Sequence, residues 1–349
     1  MESIDKAEFR IAKEVRRMTT RADVAKLAGV SESTVSYVLS GKRPISEKTR
    51  ARVLSAIEQS GYKSNYAASV LAGGSPRLVT MMISNLFTTP ASRINGALVD
   101  GIVDGVKESG FHSVIWPVSN DDDSDVDLLL KSNFSGGVIL MNVKENDQRL
   151  HLLNDQKIPF VVLGRTEVGF DYNYVDRDFD AVFSKALSEL NSFGHRHVGV
   201  IKSGKDIPVL LKSIASSLKM KLSILDSSNT HQGGYELAKK LSASDFDYTA
   251  IVSLLDAATI GFAEASSKYS IRIPEDLSLI ALNMLEDQAE KSEAKISTVA
   301  FEAYAMAESC GKMMVEIIES GLKGASKKHE LWTGELVNRG SISQAKVKR

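Results

Sequence analysis

The chain has 349 residues, 43 of them Lys or Arg and 44 Asp or Glu, with a single cysteine, Cys310. That length allows a small module beside a large core, and one cysteine excludes an intramolecular disulfide and suits a reducing compartment. No stretch approaches the roughly 20 apolar residues of a membrane span. The charged opening MESIDKAEFRIAKEVRR has no secretory apolar region, so the expectation is a soluble, cytoplasmic protein with no membrane partner.

Residues 1–17 set Ile4, Ile11 and Val15 roughly on one side of a helix. They read either as an extra amphipathic arm or as a segment absent from the cell, with translation starting at Met18. In the string TTRADVAKLAGVSESTVSYVLSGKRPIS (19–46), Val24, Leu27 and Ala28 recur at helical intervals. Gly29 follows, where a chain leaves a helix through a left-handed residue. Ser31 stands where a cap belongs, and Glu32 near the positive end of a second helix. In that helix Val35, Val38 and Leu39 share an inward face, while Glu32, Ser33, Ser36, Tyr37 and Ser40 share the other. Ser46 caps a third helix, whose Val53, Leu54 and Ile57 point inward before Gly61 ends it. Helix, glycine turn, helix and supporting helix is the helix-turn-helix arrangement, whose second helix lays its exposed face in the DNA major groove. Any short amphipathic helix has a polar face, so spacing alone leaves DNA reading and plain solvation both open. Charge favours the first: residues 16–77 carry 11 Lys or Arg against 4 Asp or Glu, and the remainder 32 against 40. A basic head on an acidic body is the footprint of phosphate attraction.

Glycines and Pro76 in AGGSPR (72–77) mark a boundary. Beyond it LVTMMIS, SVIWPVS, GGVILMN and PFVVLGR read as buried strands, with helices such as ALVDGIVDGVKES between them. After VDRDFDAV the alternation resumes with HVGVIKS, LSILDS, TAIVSLLD and LSLIALN. Near-continuous apolar strands separated by helices imply parallel sheets covered on both faces. Two such series predict two α/β lobes, with a cleft able to hold a small molecule.

Over residues 20–344 the chain resembles the lactose-repressor (LacI/GalR) family of bacterial transcription regulators. DVAKLAGVSESTVSYVLSGKRPISEKTRARVLSAIEQSGYKSNYAASVLAG matches the family's headpiece in order and spacing with no gap. LGR (163–165), FGHRHVGVI (193–201), IPEDLSLIALN (273–283) and GELVNRGS (334–341) follow in the family's order. The resemblance implies a small all-α helix-turn-helix headpiece and an α/β, two-lobed, periplasmic-binding-protein-like core. It divides the chain into an N-terminal extension (1–17), the DNA-binding domain (18–63), a hinge helix and linker (64–76), the effector-binding and dimerisation domain (77–341) and a C-terminal tail (342–349). It also implies a homodimer on a near-palindromic, double-stranded operator, most simply as a repressor of a metabolic operon. Activation stays open, because the sign of regulation depends on operator position.

On this resemblance Glu32, Ser33 and Tyr37 would face bases, and Thr20, Ser31, Thr34, Ser36 and Lys48 mainly phosphates. Phosphate contacts set register and base contacts choose sequence. Residues 65–72 match the hinge helix, with Asn65 and Leu71 at the minor groove and Leu71 as the wedge that opens a base step and bends the duplex. Tyr37 stands where an arginine is usual, so the bidentate grip on guanine is missing there. Ser64 replaces the usual proline before the hinge asparagine, which loosens the entry into that helix.

The effector is where the chain departs most from the family's sugar binders. They place an arginine early in the second lobe's first helix, an Asn-Asp pair after a later strand and an aspartate beyond the next; Leu210, Leu255-Asp256 and Asn283 stand there. Each sugar hydroxyl left without a partner costs about 1–3 kcal/mol, so the expectation is an effector less hydroxylated than a hexose, or none. Asn142, Arg165, Asp178, Asp256 and Asn283 are the effector-binding candidates. Arg165 reads equally as the partner of an anionic or carbonyl-bearing ligand or as a surface arginine after a strand.

No catalytic residue, cofactor or metal is expected. The chain has no G-x-G-x-x-G after a strand, no G-x-x-x-x-G-K-[ST] and no G-x-S-x-G. His195 and His197 flank Arg196 without further ligands at metal spacing, and read as a solvated strand entry. Asp121, Asp122 and Asp123 read as solvated loop acids, and Cys310 as a packed thiol. The alternative is a cytoplasmic solute-binding protein with no DNA role, in which the headpiece has no purpose.

Overall fold

The computed structural model describes residues 20–40, 43–62, 76–84, 93–118, 124–132, 134–244, 246–321 and 327–346. The chain divides into two compact units, Met1–Pro76 and Arg77–Arg349. The expectations for Met18, Ser64, Asn65, Leu71 and Asp121 to Asp123 lie outside the described residues.

The first unit contains α1 (Arg21–Ala28), α2 (Glu32–Ser40) and α3 (Glu47–Ser60). Thr20 and Asp23 close the start of α1 as a capping box: Thr20 Oγ1 accepts from Asp23 N, and the Asp23 carboxylate accepts from Thr20 N at 2.8 Å. Gly29 ends α1 at φ 62°, a conformation that costs glycine no Cβ clash. Ser31 Oγ accepts from Thr34 N at 3.2 Å, and Ser46 Oγ from Thr49 N at 3.4 Å, capping α2 and α3 as predicted. Val24, Ala28, Val35, Val38 and Val53 are buried together. The three leucines expected inside are not: Leu27, Leu39 and Leu54 are 54%, 44% and 49% exposed. Ala25 and Ala56 take the inward places instead. A core of valine and alanine lets the helices approach closely, so the bulkier side chain one position round falls on the flank.

Among its described residues the second unit is built on two six-stranded sheets. The first lobe holds β1 (Leu78–Ser84), β2 (His112–Val118), β3 (Gly137–Met141), β4 (Phe160–Leu163), β5 (Asn173–Arg177) and β11 (His329–Trp332), in the order β11-β5-β4-β3-β1-β2. The second holds β6 (His197–Lys202), β7 (Lys221–Asp226), β8 (Ala250–Ser253), β9 (Ser278–Ala281), β10 (Ser297–Val299) and β12 (Leu336–Val337), in the order β12-β10-β9-β8-β6-β7. Among the described residues every pairing is parallel except β10 with β12.

Alternation explains the continuous apolar runs. In the first lobe Val79, Met81, Ile139 and Val161 meet α4 (Arg93–Lys107) and α12 (Ala303–Ser320). Their neighbours Met82, Val138, Leu140 and Val162 meet α5 (Ser124–Ser132) and α6 (Gln148–Asp155) on the other face. In the second lobe Ile201, Ile251 and Leu279 face α9 (His231–Ser242), α10 (Asp256–Lys268) and α11 (Glu286–Lys291), while Val200, Val252 and Ile280 face α7 (Phe179–Ser192) and α8 (Val209–Ser217). Two predicted buried strands lie at sheet edges instead: LSILDS is β7, in which only Leu225 is buried. SVIWPVS is the edge strand β2, where Ile115 is exposed and Pro117 needs no ladder partner. The short strands β5, β10, β11 and β12 carried no periodic signal; each exists through pairing with a distant segment.

The chain crosses between lobes after β5, after β10 and between β11 and β12. Arg177 ties the first two crossings together. It ends β5, and its guanidinium donates to the carbonyls of Leu282, Val299 (2.8 Å) and Ala300 (3.0 Å) while lying 4.4 Å over the Phe301 ring. Burial draws its pKa down to about 10, so it stays protonated at neutral pH.

Candidate DNA-reading helix and effector cavity

In the first unit, α2 begins three residues after the left-handed turn at Gly29, so its N-terminal N–H groups stand beside a knot of hydroxyls. Ser31 Oγ lies 2.7 Å from Ser33 Oγ and 2.9 Å from Thr34 Oγ1. Glu32 and Ser33 are exposed; Thr34, Ser36 and Tyr37 are half-buried. Thr20 is exposed, but its hydroxyl donates to the Asp23 carboxylate at 2.7 Å, and Lys48 is exposed in the first turn of α3. Sequence reasoning missed Arg43, whose guanidinium lies 4.9 Å over the Tyr37 ring. A helix without an arginine at position 37 thus still carries a guanidinium against that ring, brought by the following loop.

In the second unit a cavity of about 660 Å³ lies at the carboxyl ends of the parallel strands, where open α/β sheets place ligands. The first lobe lines it with Asn142 and Val143 after β3, Leu163, Gly164 and Arg165 at the end of β4, and Asp176 in β5. The second lobe adds Phe179 and Phe183 of α7, Pro208, Val209 and Leu210 at the start of α8, Leu254 after β8, and Leu282 and Asn283 after β9.

Arg165 Nε donates to Asp176 Oδ2 at 2.8 Å, and its guanidinium lies 5.6 Å over the Tyr174 ring. Burial raises the Asp176 pKa, and its bonds to Arg165 and to the Arg177 N–H oppose that rise without cancelling it. Asn142 takes φ 51°, unusual for a residue with a Cβ. A buried ion pair holds that loop: Arg149 bonds Asp147 at 2.6 Å and donates to the Met141 and Asn142 carbonyls, both at 3.3 Å. Burial alone would raise the Asp147 carboxyl; the Arg149 hydrogen bonds and charge outweigh it and hold the pKa below its usual value.

Of the five effector candidates, Asn142, Arg165 and Asn283 line this cavity, and Asp178 and Asp256 do not. Asp178 caps α7, accepting from Ala181 N at 3.1 Å. Asp256 is buried and accepts from Asn229 Nδ2 at 2.8 Å, while Asn229 Oδ1 accepts from Ala257 N at the start of α10. Each is an aspartate at a helix N-terminus, favoured there by free N–H groups whether or not a ligand exists. Asp176, Phe179 and Phe183 were missed, although VDRDFDAV contains the first two and was noted as the break between the strand series.

The histidine reading needs correction. His195 is buried, 2.7 Å from Thr249 Oγ1 through Nδ1 and 3.0 Å from the Ser343 carbonyl through Nε2. The carbonyl can only accept, so Nε2 carries the proton and Nδ1 accepts from the hydroxyl. Burial lowers its pKa and keeps it neutral. No cluster of three metal-ligating side chains occurs among the described residues. Cys310 is fully buried, and burial pushes its thiol far up, away from thiolate chemistry.

Comparison with known proteins places these units. Residues 20–65 match the family described as bacterial regulatory proteins, lacI family, and residues 187–342 match a periplasmic binding protein-like domain. The HTH-type transcriptional regulator AglR of Rhizobium meliloti is 28% identical over 92% of this chain and 94% of its own length. The HTH-type transcriptional regulator MalR of Streptomyces coelicolor is 26% identical over 95% and 99%. The Lac repressor dimer bound to operator and the anti-inducer ONPF shares the fold, with TM-score 0.77 at 18% identity over 93% of this chain and 99% of that one. A complex of the transcriptional regulator CelR with cellobiose gives TM-score 0.63 at 23% identity, over 92% and 99%. Residues 20–65 thus form a lacI-family DNA-binding domain, and the chain is a DNA-binding transcriptional regulator.

Proposed function

We propose that the protein works in the cytoplasm as a dimeric repressor of a metabolic operon, reading a near-palindromic operator through α2 and answering to a small molecule in the second unit. The observation that supports it best is the exposed pair Glu32 and Ser33 at the start of a helix entered through a left-handed glycine, on a basic headpiece. Glu32 accepts from a cytosine amino group, Ser33 adapts to either base edge, and Tyr37 with Arg43 stacks on or touches a neighbouring one. Ser31, Thr34, Ser36, Lys48 and Thr20 hold phosphates. Asn142, Arg165 and Asn283 contact the effector. A ligand releases DNA only if it binds one lobe arrangement better than the other; a cavity lined from both lobes supports this reading, because its shape follows the lobes. The protein performs no catalysis in this reading.

Operator selection from a random DNA pool, followed by anisotropy titration, tests it. Glu32→Ala should relax preference at one position per half-site, costing about 1–3 kcal/mol of discrimination. Lys48→Ala should weaken specific and random DNA alike and reduce the salt slope by about 1. Failure to enrich any site would refute the regulator and leave the solute-binding alternative.

A further inference from the structure

We propose that the cavity of the second unit selects an uncharged amphipathic molecule: a compact polar head with both donor and acceptor, on an apolar or aromatic body. This rests on reading that cavity as the effector site, and adds the chemistry the site accepts. Its two walls differ in kind. The first lobe presents Asn142 and the Arg165–Asp176 pair, joined at 2.8 Å. That wall is charge-balanced. An anionic head would meet the Asp176 carboxylate, and a cationic head the Arg165 guanidinium, each competing with a pair already made. A carboxamide or similar neutral head can accept from one member and donate to the other.

The opposite wall is carbon. Phe179, Phe183, Leu210, Leu254 and Leu282 line it, and Asn283 is the one polar side chain the second lobe contributes among the described lining residues. Val209 is 85% exposed and Phe179 38%, and both border the cavity. Large apolar side chains held in water at a concave site mark a surface that gains by being covered. A free hexose, with hydroxyls around its whole ring, would turn several of them against leucine and phenylalanine with no partner.

Calorimetric titration of the full chain with 2-naphthamide, 2-naphthoate, 2-naphthamidine and D-glucose varies the head on one ring and includes a plain sugar. The amide is expected to bind, the two charged analogues roughly tenfold or more weakly, and glucose to give no binding heat. Val209→Asp, at a position exposed enough to leave folding intact, should weaken the amide about tenfold. Asp176→Asn should narrow the gap between naphthoate and amide. The proposal is overturned if the amide does not bind, if the three heads bind equally, if glucose binds more tightly, or if Val209→Asp leaves the amide unchanged. A chain that selects an operator yet fails these titrations loses this inference alone. One that binds the amide and selects no DNA loses the regulator reading alone.

Discussion

The first lobe has a charged brace at the carboxyl ends of its strands: Asp147 and Arg149, 1% and 6% exposed, hold the loop that presents Asn142. The second lobe has a neutral brace at the opposite ends, while its buried polar groups at the carboxyl ends, Ser253, Asp256 and Thr259, are engaged with Asn229, one another and the Leu255 carbonyl and do not line the cavity. His195 precedes β6, Thr249 precedes β8, Ser278 opens β9, and the Ser343 carbonyl receives from His195 and from Ser278 Oγ. The two sheets have the same strand order. Topology therefore decides where loops gather, and side-chain chemistry decides which lobe brings polarity to the cavity. The lobe with a charged brace near the cavity also supplies its polar wall, whereas the lobe braced at its far end leaves hydrocarbon there.

Removing the charge from the first lobe's brace should have the largest effect. Asp147→Asn leaves Arg149 buried without its counter-charge, a loss of about 3–5 kcal/mol, read as a drop in chemical-denaturation midpoint. Because the folded Asp147 pKa lies below 3.8, its contribution is complete above that value and disappears as pH falls through the folded pKa. A neutral variant as stable as wild type would show that the brace is ornamental.

Next come the helix pairs, which both lobes close through glycine. A Cβ on Gly311 of α12 would stand 2.8 Å from the Ile102 carbonyl of α4, and one on Gly261 of α10 would overlap the His231 carbonyl. Gly311→Ala and Gly261→Ala should each cost about 1–3 kcal/mol through overpacking. Gly96→Ala, in α4 with nothing within 4 Å, should instead stabilise by about 0.5–1 kcal/mol. Melting temperatures of the three variants test whether the lobes depend alike on close approach.

The neutral brace predicts a smaller effect with a different pH window. The folded His195 pKa is lowered below 6.5, so the unfolded chain binds the proton first as pH falls. Stability should then decline below about pH 6.5 until the folded pKa is reached, by up to about 1.4 kcal/mol per pH unit. His195→Gln should flatten that slope while Asp147→Asn leaves it, which separates the two braces by denaturation at several pH values. Smallest is the surface pair joining the lobes, Arg93 with Asp287 at 2.8 Å, both well exposed. Arg93→Ala should change stability by at most about 1 kcal/mol, less in high salt. A larger loss would mean that the lobes communicate through this edge.

The headpiece was legible because its determinants are local. A glycine after a helical period, serines before two others and a polar face on α2 are decided within a few residues, and Gly29, Ser31 and Ser46 do what that spacing requires. The α/β class was legible too, since a strand covered on both faces must be apolar at successive positions, as in Val138 to Met141. Only tertiary structure decided which leucines face outward in the headpiece, because close approach of valine and alanine leaves them no room. It also decided that His195 is a core residue, through partners 54 and 148 positions away. The cavity's character belongs to the same class. Arg165 is balanced by Asp176, Arg177 reaches carbonyls 105 and 122 residues on, and Phe179 and Val209 converge from separate helices. Periodicity reports which side of an element is buried; it carries no information about which distant groups will meet there, and that meeting sets charge balance, burial and ligand chemistry.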